Sequence, residues 1–432
     1  MIDRFRREVY QSFEQRGDAG MDLIDALTSA ESVESPVAQS ESPLFRRRFS
    51  SVYDFLKQGR MLLPELRRVL HKNQPEDAEQ IAGYEVYVVD CTDDPAPEAK
   101  TLLDRIRSKK GRHAPVEVGH RYSWLVRAIE QRTSWCMPQD IRRVPTESTD
   151  SQVGMEQVKE LAERNDRPKV VVADSLYCNV VFLAVFMTVQ AVYALVRIRS
   201  NRVLYEEPPE HKPGQKGRPR KHGDKFKFSS PSRQPDQTEN CTLFGQTVRL
   251  TAWEGLHFYQ LPFLVGMVLC VQFLKSDGTP RFQRPLYLFW TGPTSVALVD
   301  LARMYLWRFA IEHMFRFLKQ HMGLTSSNSP NLEARLRWIW CCAIAYSQLL
   351  LVRHEVADRR PDWHPRFVRG QLRPMTPRQV QRQSLAFLMA LGTPASDTQP
   401  AGKGSGRPVG YRPEPRKRFP IVQKSKKQRK SA

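Results

Sequence analysis

Apolar residues recur at helical intervals through the first part of the chain. The segments RFRREVYQSFEQRG and SSVYDFLKQGRMLLPELRRVLHK both have this spacing, and a Ser-, Glu- and Pro-rich linker from Ser29 to Ser42 separates them. We therefore expect a helical domain over residues 1–80. Its exposed Arg and Lys would suit a helix laid in a DNA groove, but a bundle used for packing or dimerisation would show the same pattern.

Between residues 81 and 200 the pattern changes to short β-branched and aromatic runs that alternate with helical spacing. The predicted elements are strands at Tyr84 to Cys91, Val116 to Ala128 and Ser134 to Val144, a helix at Met155 to Glu163, a strand at Lys169 to Asp174, a helix from Asn179 and a strand at Val192 to Ser200. This order predicts an α/β fold, in which a mixed sheet is flanked by helices.

Residues 201–296 have a different composition. The segment EEPPEHKPGQKGRPRKHGDKFKFSSPSRQPDQ is too rich in Pro, Gly and charge to bury a core of its own. Strand-like runs follow it, namely TLFGQTVRLTAW, FYQLPFLVGMVLCVQFL and RPLYLFW, with Asp277-Gly278 as a hairpin turn. We expect a basic loop and a β-rich insertion here.

Residues 297–360 would complete the α/β core with a helix at 305–319 and an apolar core helix from Leu332 to Leu351. Residues 361–432 are basic and contain one amphipathic segment, Thr376 to Leu391. From Thr393 onwards Pro, Gly, Lys and Arg dominate, so we expect this tail to be largely disordered.

One apolar run, Leu176 to Val196, is about as long as a bilayer requires. Asn179, Thr188 and Gln190 interrupt it, and its β-rich end favours a buried helix, a turn near Gln190 and a buried strand. We expect no membrane association. The charged start MIDRFRREVY lacks the apolar core of a signal peptide, so we expect a cytoplasmic, nucleoid-associated protein.

The formal net charge is +21, which favours polyanionic partners. Nucleic acid is the commonest such partner, although acidic membranes also attract basic proteins. The seven cysteines are scattered and contain no C-x-x-C pair, so neither a disulfide framework nor a zinc site is indicated.

Three acids stand out as candidate chemistry. On a helix, Glu312 shares one sector with Tyr305, Arg308, Arg316 and Lys319, which places a hard oxygen ligand beside groups that hold phosphates. Asp90 and Asp174 each end a strand-like run, YEVYVVD and KVVVAD. Ordinary explanations exist for each feature, because charges at i, i+4 and i+8 also form solvated ion-pair ladders and Asp commonly terminates strands.

Together these residues resemble a family. Asp90 in VVDCT, Asp174 with Tyr177 in ADSLY, and the Y-x2-R-x3-E-x6-K spacing of Tyr305, Arg308, Glu312 and Lys319 look like the DDE triad and YREK signature of bacterial insertion-sequence transposases, of the insertion sequence 4 and insertion sequence 701 types. The resemblance covers roughly residues 80–325. It departs from the family where Ser175, Leu176 and Cys178 stand in place of a Gly often found near the second acid.

The resemblance implies a ribonuclease-H-like core in which Asp90, Asp174 and Glu312 are catalytic and hold two divalent cations, Mg²⁺ or Mn²⁺. Tyr305, Arg308 and Lys319 would position the phosphates of the transposon end. Further implied features are a β-rich insertion that lines the DNA and a homodimer on DNA.

Aromatic and basic residues of the insertion and tail are further DNA-binding candidates. The resemblance implies that Tyr287 stacks on a flipped base, with Trp290 as a substitute, although alternating apolar neighbours favour a core position for both. Two Gly-Arg-Pro tripeptides, at 217–219 and 406–408, resemble minor-groove hooks, which makes Arg218, Lys221 and Arg407 candidates. A generic phosphate-binding tail would have the same composition.

These expectations identify the chain as a DNA transposase that cuts transposon ends and joins them to target DNA by a cut-and-paste mechanism. Its partners would be the terminal inverted repeats and the target DNA. The alternatives are a metal-dependent nuclease that cuts without joining, and a DNA-binding protein without catalysis.

Overall fold

The structure is a computed structural model that describes residues 1–109, 115–210, 218–361, 363–364, 367–368, 371–399, 406 and 408–423. Its α-helices are α1 (Ile2–Gln11), α2 (Gly17–Ser29), α3 (Ser50–Gln58), α4 (Leu63–Lys72), α5 (Asp150–Ala162), α6 (Val180–Leu183), α7 (Leu298–Trp307), α8 (Phe309–His321), α9 (Leu332–Val352) and α10 (Pro377–Leu391). Its strands are β1 (Phe13–Gln15), β2 (Arg60–Met61), β3 (Glu85–Pro95), β4 (Ile106–Lys109), β5 (Val116–Ala128), β6 (Cys136–Arg143), β7 (Lys169–Ala173), β8 (Val192–Ile198), β9 (Val203–Glu206), β10 (Lys225–Lys227), β11 (Gln237–Leu243), β12 (Gln246–Phe258), β13 (Leu261–Phe273), β14 (Leu286–Trp290), β15 (Phe367–Val368) and β16 (Gln371–Leu372).

A large mixed sheet forms the centre of the fold, as the sequence predicts. Its strand order is β10-β9-β12-β13-β14-β8-β7-β3-β5-β4, with β11 beside β12 and β6 beside β5. The pairs β3–β7 and β7–β8 are parallel, and the other pairs are antiparallel. The structure also contains β4, a short edge strand that the apolar pattern does not predict.

The strands within residues 201–296 continue this same sheet. β14 pairs with β8 from Tyr287 opposite Ile198 to Trp290 opposite Leu195, so this segment joins the rest of the sheet through backbone hydrogen bonds. The predicted turn at Asp277-Gly278 is present, because Gly278 has φ +79° and its N–H donates to the Lys275 carbonyl at 3.0 Å. A left-handed φ of this kind favours glycine.

Helices cover both faces of the sheet. Alternate side chains of β3 point to opposite faces and are therefore buried under different helices. Val86 and Val88 pack with the N-terminal helices and α7 to α9, whereas Tyr87 and Val89 pack with α5 and α6. Asp90 has the same parity as Val88 and therefore belongs to the face that carries α8.

The N-terminal helices pack around α9, which is buried along almost its whole length. The predicted core helix at Leu332 to Leu351 is therefore confirmed. Polar contacts add to this packing, since Arg6 and Asp25 form a buried ion pair at 2.5 Å and Gln348 donates to the Thr28 hydroxyl at 3.0 Å. Residues 1–80 contain α1 to α4 and the short strand pair β1–β2, and these helices contribute to the core of the molecule.

The apolar run from Leu176 to Val196 folds as predicted. It forms α6, a short 3₁₀ helix at Ala184–Met187, a turn and the buried strand β8. Among the described residues, no helix combines the length and apolar character needed to cross a membrane.

One prediction requires correction. The helix expected over residues 305–319 is interrupted at Arg308, where i→i+3 hydrogen bonds from Arg308 to Tyr305 and from Ile311 to Arg308 separate α7 from α8.

One part of the tail contacts the sheet. The N–H of Val422 donates to the Arg105 carbonyl at 2.8 Å, which brings this part of the tail against the edge strand β4.

Candidate active site

The two aspartates lie side by side because their strands are parallel neighbours. Val88 pairs with Val172, and Asp90 and Asp174 each follow two residues later. β3 does not end at Cys91 as predicted but runs on to Pro95, whereas β7 ends at Ala173. Asp90 therefore stands where the parallel pairing stops, at the edge where open α/β sheets form their sites.

The turn after β7 forms without a glycine. The Asp174 carboxylate accepts a hydrogen bond from the N–H of Leu176 at 2.8 Å, and the Asp174 carbonyl accepts one from the N–H of Tyr177 at 3.1 Å. An aspartate that closes its own turn in this way provides the local geometry that Gly often provides in the resembled family.

Arg308 connects the helical signature to the strands. Its Nη1 lies 3.3 Å from Asp90 Oδ2, and its Nη2 lies 2.6 Å from Glu312 Oε1. The guanidinium also lies 5.8 Å from the centre of the Tyr305 ring. One cation thus bridges two of the three predicted carboxylates, which stand more than 200 residues apart in the sequence.

The electrostatic environment of Asp90 includes both other predicted acids. The pKa of Asp90 is raised to about 6, because burial together with the nearby Asp174 and Glu312 outweighs the opposing effect of Arg308. Burial lowers the pKa of Arg308, but Tyr305, Asp90 and Glu312 outweigh it and leave that pKa above its ordinary value. Carboxylates that repel one another are stabilised by a nearby positive charge, so this cluster favours the binding of a further cation.

The carboxylate oxygens are the hard ligands that Mg²⁺ and Mn²⁺ prefer, so the donor set fits a divalent cation. In the arrangement described here Glu312 is engaged by Arg308. Within the described ranges, no three His, Cys, Asp or Glu side chains are placed to hold a metal ion together. Metal ligation by all three acids therefore requires the Arg308 contacts to exchange.

Two charged residues near the site were not found from the sequence. Asp94 follows Asp90 by four residues on the same face of β3, and Arg335 from α9 pairs with it at 2.7 Å. Burial raises the pKa of Asp94, while Arg335 and then Lys319 lower it, so Lys319 also reaches this end of β3. Because alternate residues of a strand share one face, the sequence could have indicated that Asp94 lies on the same face as Asp90. No local pattern indicates Arg335.

The remaining candidates lie in different environments. Tyr305 is buried beside Arg308, and burial raises the pKa of its phenol. Tyr287 is half-buried with its ring 4.4 Å from that of Phe228. Trp290 is fully buried, and its indole N–H donates to the Pro293 carbonyl at 2.9 Å, so it is a core residue and is closed to a DNA base.

The basic candidates lie outside this site. Arg218 and Lys221 are exposed and precede the edge strand β10, which is separated from β7 by several strands of the sheet. Arg407 lies outside the described residues, so its predicted role in DNA binding remains a prediction.

A comparison with protein-family models matches residues 8–257, more than half of the chain, to the DDE superfamily endonucleases. The matched range contains Asp90 and Asp174 and ends before Glu312, so the structure rather than the match brings the third acid to the site. Among curated proteins, none matches the chain. Members of this superfamily cleave nucleic acid, act on DNA and generally depend on a divalent metal. The chain belongs to the DDE superfamily endonucleases.

Proposed function

We propose that this protein is a DNA transposase that cleaves the ends of an insertion sequence and joins them to target DNA. The observation that carries the proposal is the double contact of Arg308 with Asp90 and Glu312. That contact joins the helical segment with the Y-x2-R-x3-E-x6-K signature to the strand that carries the first predicted acid. In an ordinary ion-pair ladder on a solvated helix, the charged side chains pair with one another along the helix surface and do not contact a strand residue.

In this proposal the mixed sheet is a ribonuclease-H-like core. Residues 201–296 are an insertion that lines the DNA, and residues 1–80 are a helical DNA-binding domain. Bringing two transposon ends together requires a homodimer on DNA. The charge of +21 supports a long contact with a polyanion.

Asp90, Asp174 and Glu312 would hold the divalent cations, Mg²⁺ or Mn²⁺, two in each site. When bound, the cations would lower the pKa of a water molecule and neutralise charge on the scissile phosphate. Cleavage forms a bond between the water oxygen and phosphorus and breaks a phosphorus–oxygen bond of the DNA backbone. Strand transfer repeats this exchange with a DNA 3′-hydroxyl in place of water.

Arg308 would change partners during this reaction. Its two amino groups are held by Asp90 and Glu312, and its Nε has no hydrogen-bond partner among the described residues although it is buried. A guanidinium suits a bidentate grip on phosphate, so release of the acids would direct it to the DNA backbone. Lys319, at the Asp94 end of the same site, would add a second cation for the phosphates.

The test is a reconstituted reaction with the full chain, Mg²⁺ or Mn²⁺, labelled DNA carrying the gene's flanking sequences, and a target plasmid. We expect cleaved ends and a covalently joined product. Asp90→Asn, Asp174→Asn and Glu312→Gln should each abolish both products while leaving DNA binding largely intact. Cleavage without any joined product would support the nuclease alternative, and cleavage retained by any of the three variants would contradict the assignment of that residue.

Glu160→Gln is a matched control for Glu312→Gln. Glu160 is 43% exposed and pairs with Arg142 at 2.5 Å, and Glu312 is 42% exposed and pairs with Arg308 at 2.6 Å. The two substitutions therefore remove comparable half-exposed carboxylates from arginine side chains that are largely buried. Only Glu312→Gln should affect cleavage.

A further inference from the structure

The Tyr259 ring stacks on the His222 ring at the outer part of the sheet, and His257 continues this stack edge to edge through a ring-to-ring hydrogen bond with His222. The His257 and His222 rings lie 5.2 Å apart with planes inclined by 24°, and the His222 and Tyr259 rings lie 4.6 Å apart with planes inclined by 26°. Tyr205 packs beside all three, with ring distances of 5.1 to 6.3 Å. His257 is buried at the inner end, and Tyr259 at the outer end is 63% exposed.

The backbone explains how this stack forms. His257 of β12 pairs directly with Tyr205 of β9, and Tyr259 lies in the short turn between β12 and β13. Gly223 lets the chain that carries His222 approach β9 closely, because a Cβ at this position would lie 2.3 Å from the Glu207 carbonyl oxygen. The Gly223 N–H instead donates to the Glu206 carbonyl at 2.8 Å.

A hydrogen bond fixes the two inner rings. Nδ1 of His222 lies 2.9 Å from Nε2 of His257, so one imidazole donates and the other accepts. Burial, followed by the neighbouring His222, lowers the pKa of His257, which favours the neutral, hydrogen-bonded pair. The rings are thus held in place before any ligand arrives, and a partner that stacks on Tyr259 loses little side-chain entropy.

Three basic residues precede His222 of the stack in the sequence. Arg218, Arg220 and Lys221 are exposed and immediately precede His222. From Glu206 to Lys227 the sequence contains seven Lys and Arg residues against four acids. A planar aromatic face beside clustered cations matches the two parts of a nucleic acid strand, its bases and its phosphates.

We propose that the Tyr259 end of this stack binds an unpaired DNA base, at a site separate from the three acids. Each base inside a duplex already stacks on both faces, so an unpaired or displaced base offers Tyr259 a face that an interior base pair does not. Strands β13, β14 and β8 separate β12 from β7, which places this site away from Asp174. The inference rests on the DNA substrate of the superfamily and does not depend on the proposed strand transfer.

The proposal is tested by measuring DNA binding with the full-length protein in EDTA, so that no cleavage occurs. The probes are a labelled oligothymidine single strand and a blunt duplex of equal length, followed by fluorescence anisotropy. Stacking of one base contributes about 1–3 kcal/mol, so Tyr259→Ala should weaken single-strand binding about tenfold. Duplex binding should change less than about twofold, because phosphate contacts dominate it.

Trp363→Ala is the matched control, since Trp363 is also largely exposed, at 82%, and lies outside the two regions proposed to contact DNA, residues 1–80 and 201–296. Tyr259→Trp keeps an aromatic face and should bind the single strand as well as the unchanged protein does. If Tyr259→Ala does not fold, it is replaced by Tyr259→Leu, which keeps an apolar contact with His222. The expected loss of single-strand affinity is the same. Equal effects of Tyr259→Ala and Trp363→Ala, or equal losses on single strand and duplex, would overturn the proposal.

The experiment also separates this inference from the proposed function. Glu312→Gln should abolish cleavage and leave single-strand binding unchanged, whereas Tyr259→Ala should weaken single-strand binding whether or not the protein joins DNA strands. Loss of joining alone would therefore leave the base-binding site intact.

Discussion

Arg335 of α9 and Asp94 of β3 form a buried ion pair at the end of the strand that carries the first candidate acid. Arg335 Nη2 lies 2.7 Å from Asp94 Oδ2, and the two side chains are 1% and 5% exposed. Arg335 Nη1 also donates to the Ser327 carbonyl at 2.6 Å. The pair therefore links α9 and the loop before it to the end of β3.

Removing one partner of this pair should be strongly destabilising. Arg335→Leu leaves a buried carboxylate without its counter-ion, so we expect the free energy of unfolding to fall by about 3–5 kcal/mol. Urea unfolding followed by tryptophan fluorescence measures this loss. Arg68→Leu is the control, because Arg68 and Glu65 are also 2.7 Å apart but exposed, and their separation should cost below about 1 kcal/mol. Similar losses in both variants would contradict the structural role of the buried pair.

The contacts of Arg308 predict an effect on metal binding in the absence of DNA. Arg308→Gln removes the cation that occupies Glu312 and Asp90, so the carboxylates become available and affinity for Mn²⁺ should rise about tenfold, or ~1.4 kcal/mol. Electron paramagnetic resonance of free Mn²⁺ measures this affinity without any cleavage. Arg316→Gln, which removes an exposed cation from the same helix, should change it little. A weaker affinity in Arg308→Gln would show that the guanidinium supports the metal site instead of competing with it.

The strands that position Asp90 and Asp174 could be predicted because the residue pattern that indicates each strand lies within the strand itself. Runs such as VYVV and KVVV are short, β-branched and apolar, which is typical of strands buried on both faces. In the chain β4, β5, β6 and α5 lie between β3 and β7, so no local rule placed these two strands side by side. That the two aspartates share one site was implied by the resemblance to the transposase family.

The partners of the charged side chains could not be predicted in the same way. Arg335 and Asp94 are 241 residues apart, and Arg308 and Asp90 are 218 apart. The pairing of each basic side chain with its acid depends on how the helices pack on the sheet. The periodicity of the sequence does not predict that packing. The break at Arg308 has the same origin, because a continuous helical pattern from Tyr305 to Lys319 gives no indication of a tightened turn.

Gly154 in α5 predicts a second stability effect, close to the Asp174 turn. A Cβ at this position would lie 2.9 Å from the Tyr177 ring and 3.2 Å from Val89, so Gly154→Ala should force α5 away from both. We expect a destabilisation of about 1–3 kcal/mol, larger than the gain in helix propensity of about 1 kcal/mol that Ala ordinarily brings. Thermal unfolding measures it. An increase in melting temperature would show that Tyr177 moves aside without cost.

His120 predicts how stability changes with pH. It is buried on β5, and its Nε2 lies 2.8 Å from the Leu103 carbonyl oxygen. The pKa of its imidazole is lowered to about 4, because burial together with Arg143 and Arg335 outweighs the Leu103 hydrogen bond and Asp104, which raise the pKa. Because the folded pKa lies below the unfolded value near 6.5, the neutral form contributes stability above pH 6.5 that is lost as the pH falls towards 4.

Between pH 7 and pH 5 this single group should cost about 2 kcal/mol of unfolding free energy. His120→Gln keeps a donor for the Leu103 carbonyl and does not titrate, so its stability should decline less over this interval than that of the unchanged protein. Denaturant unfolding at both pH values measures the difference. His354→Gln is the control, because the His354 side chain is 62% exposed and its removal should leave the pH dependence almost unchanged. Equal pH dependence in His120→Gln and the unchanged protein would show that other groups cause the acid destabilisation.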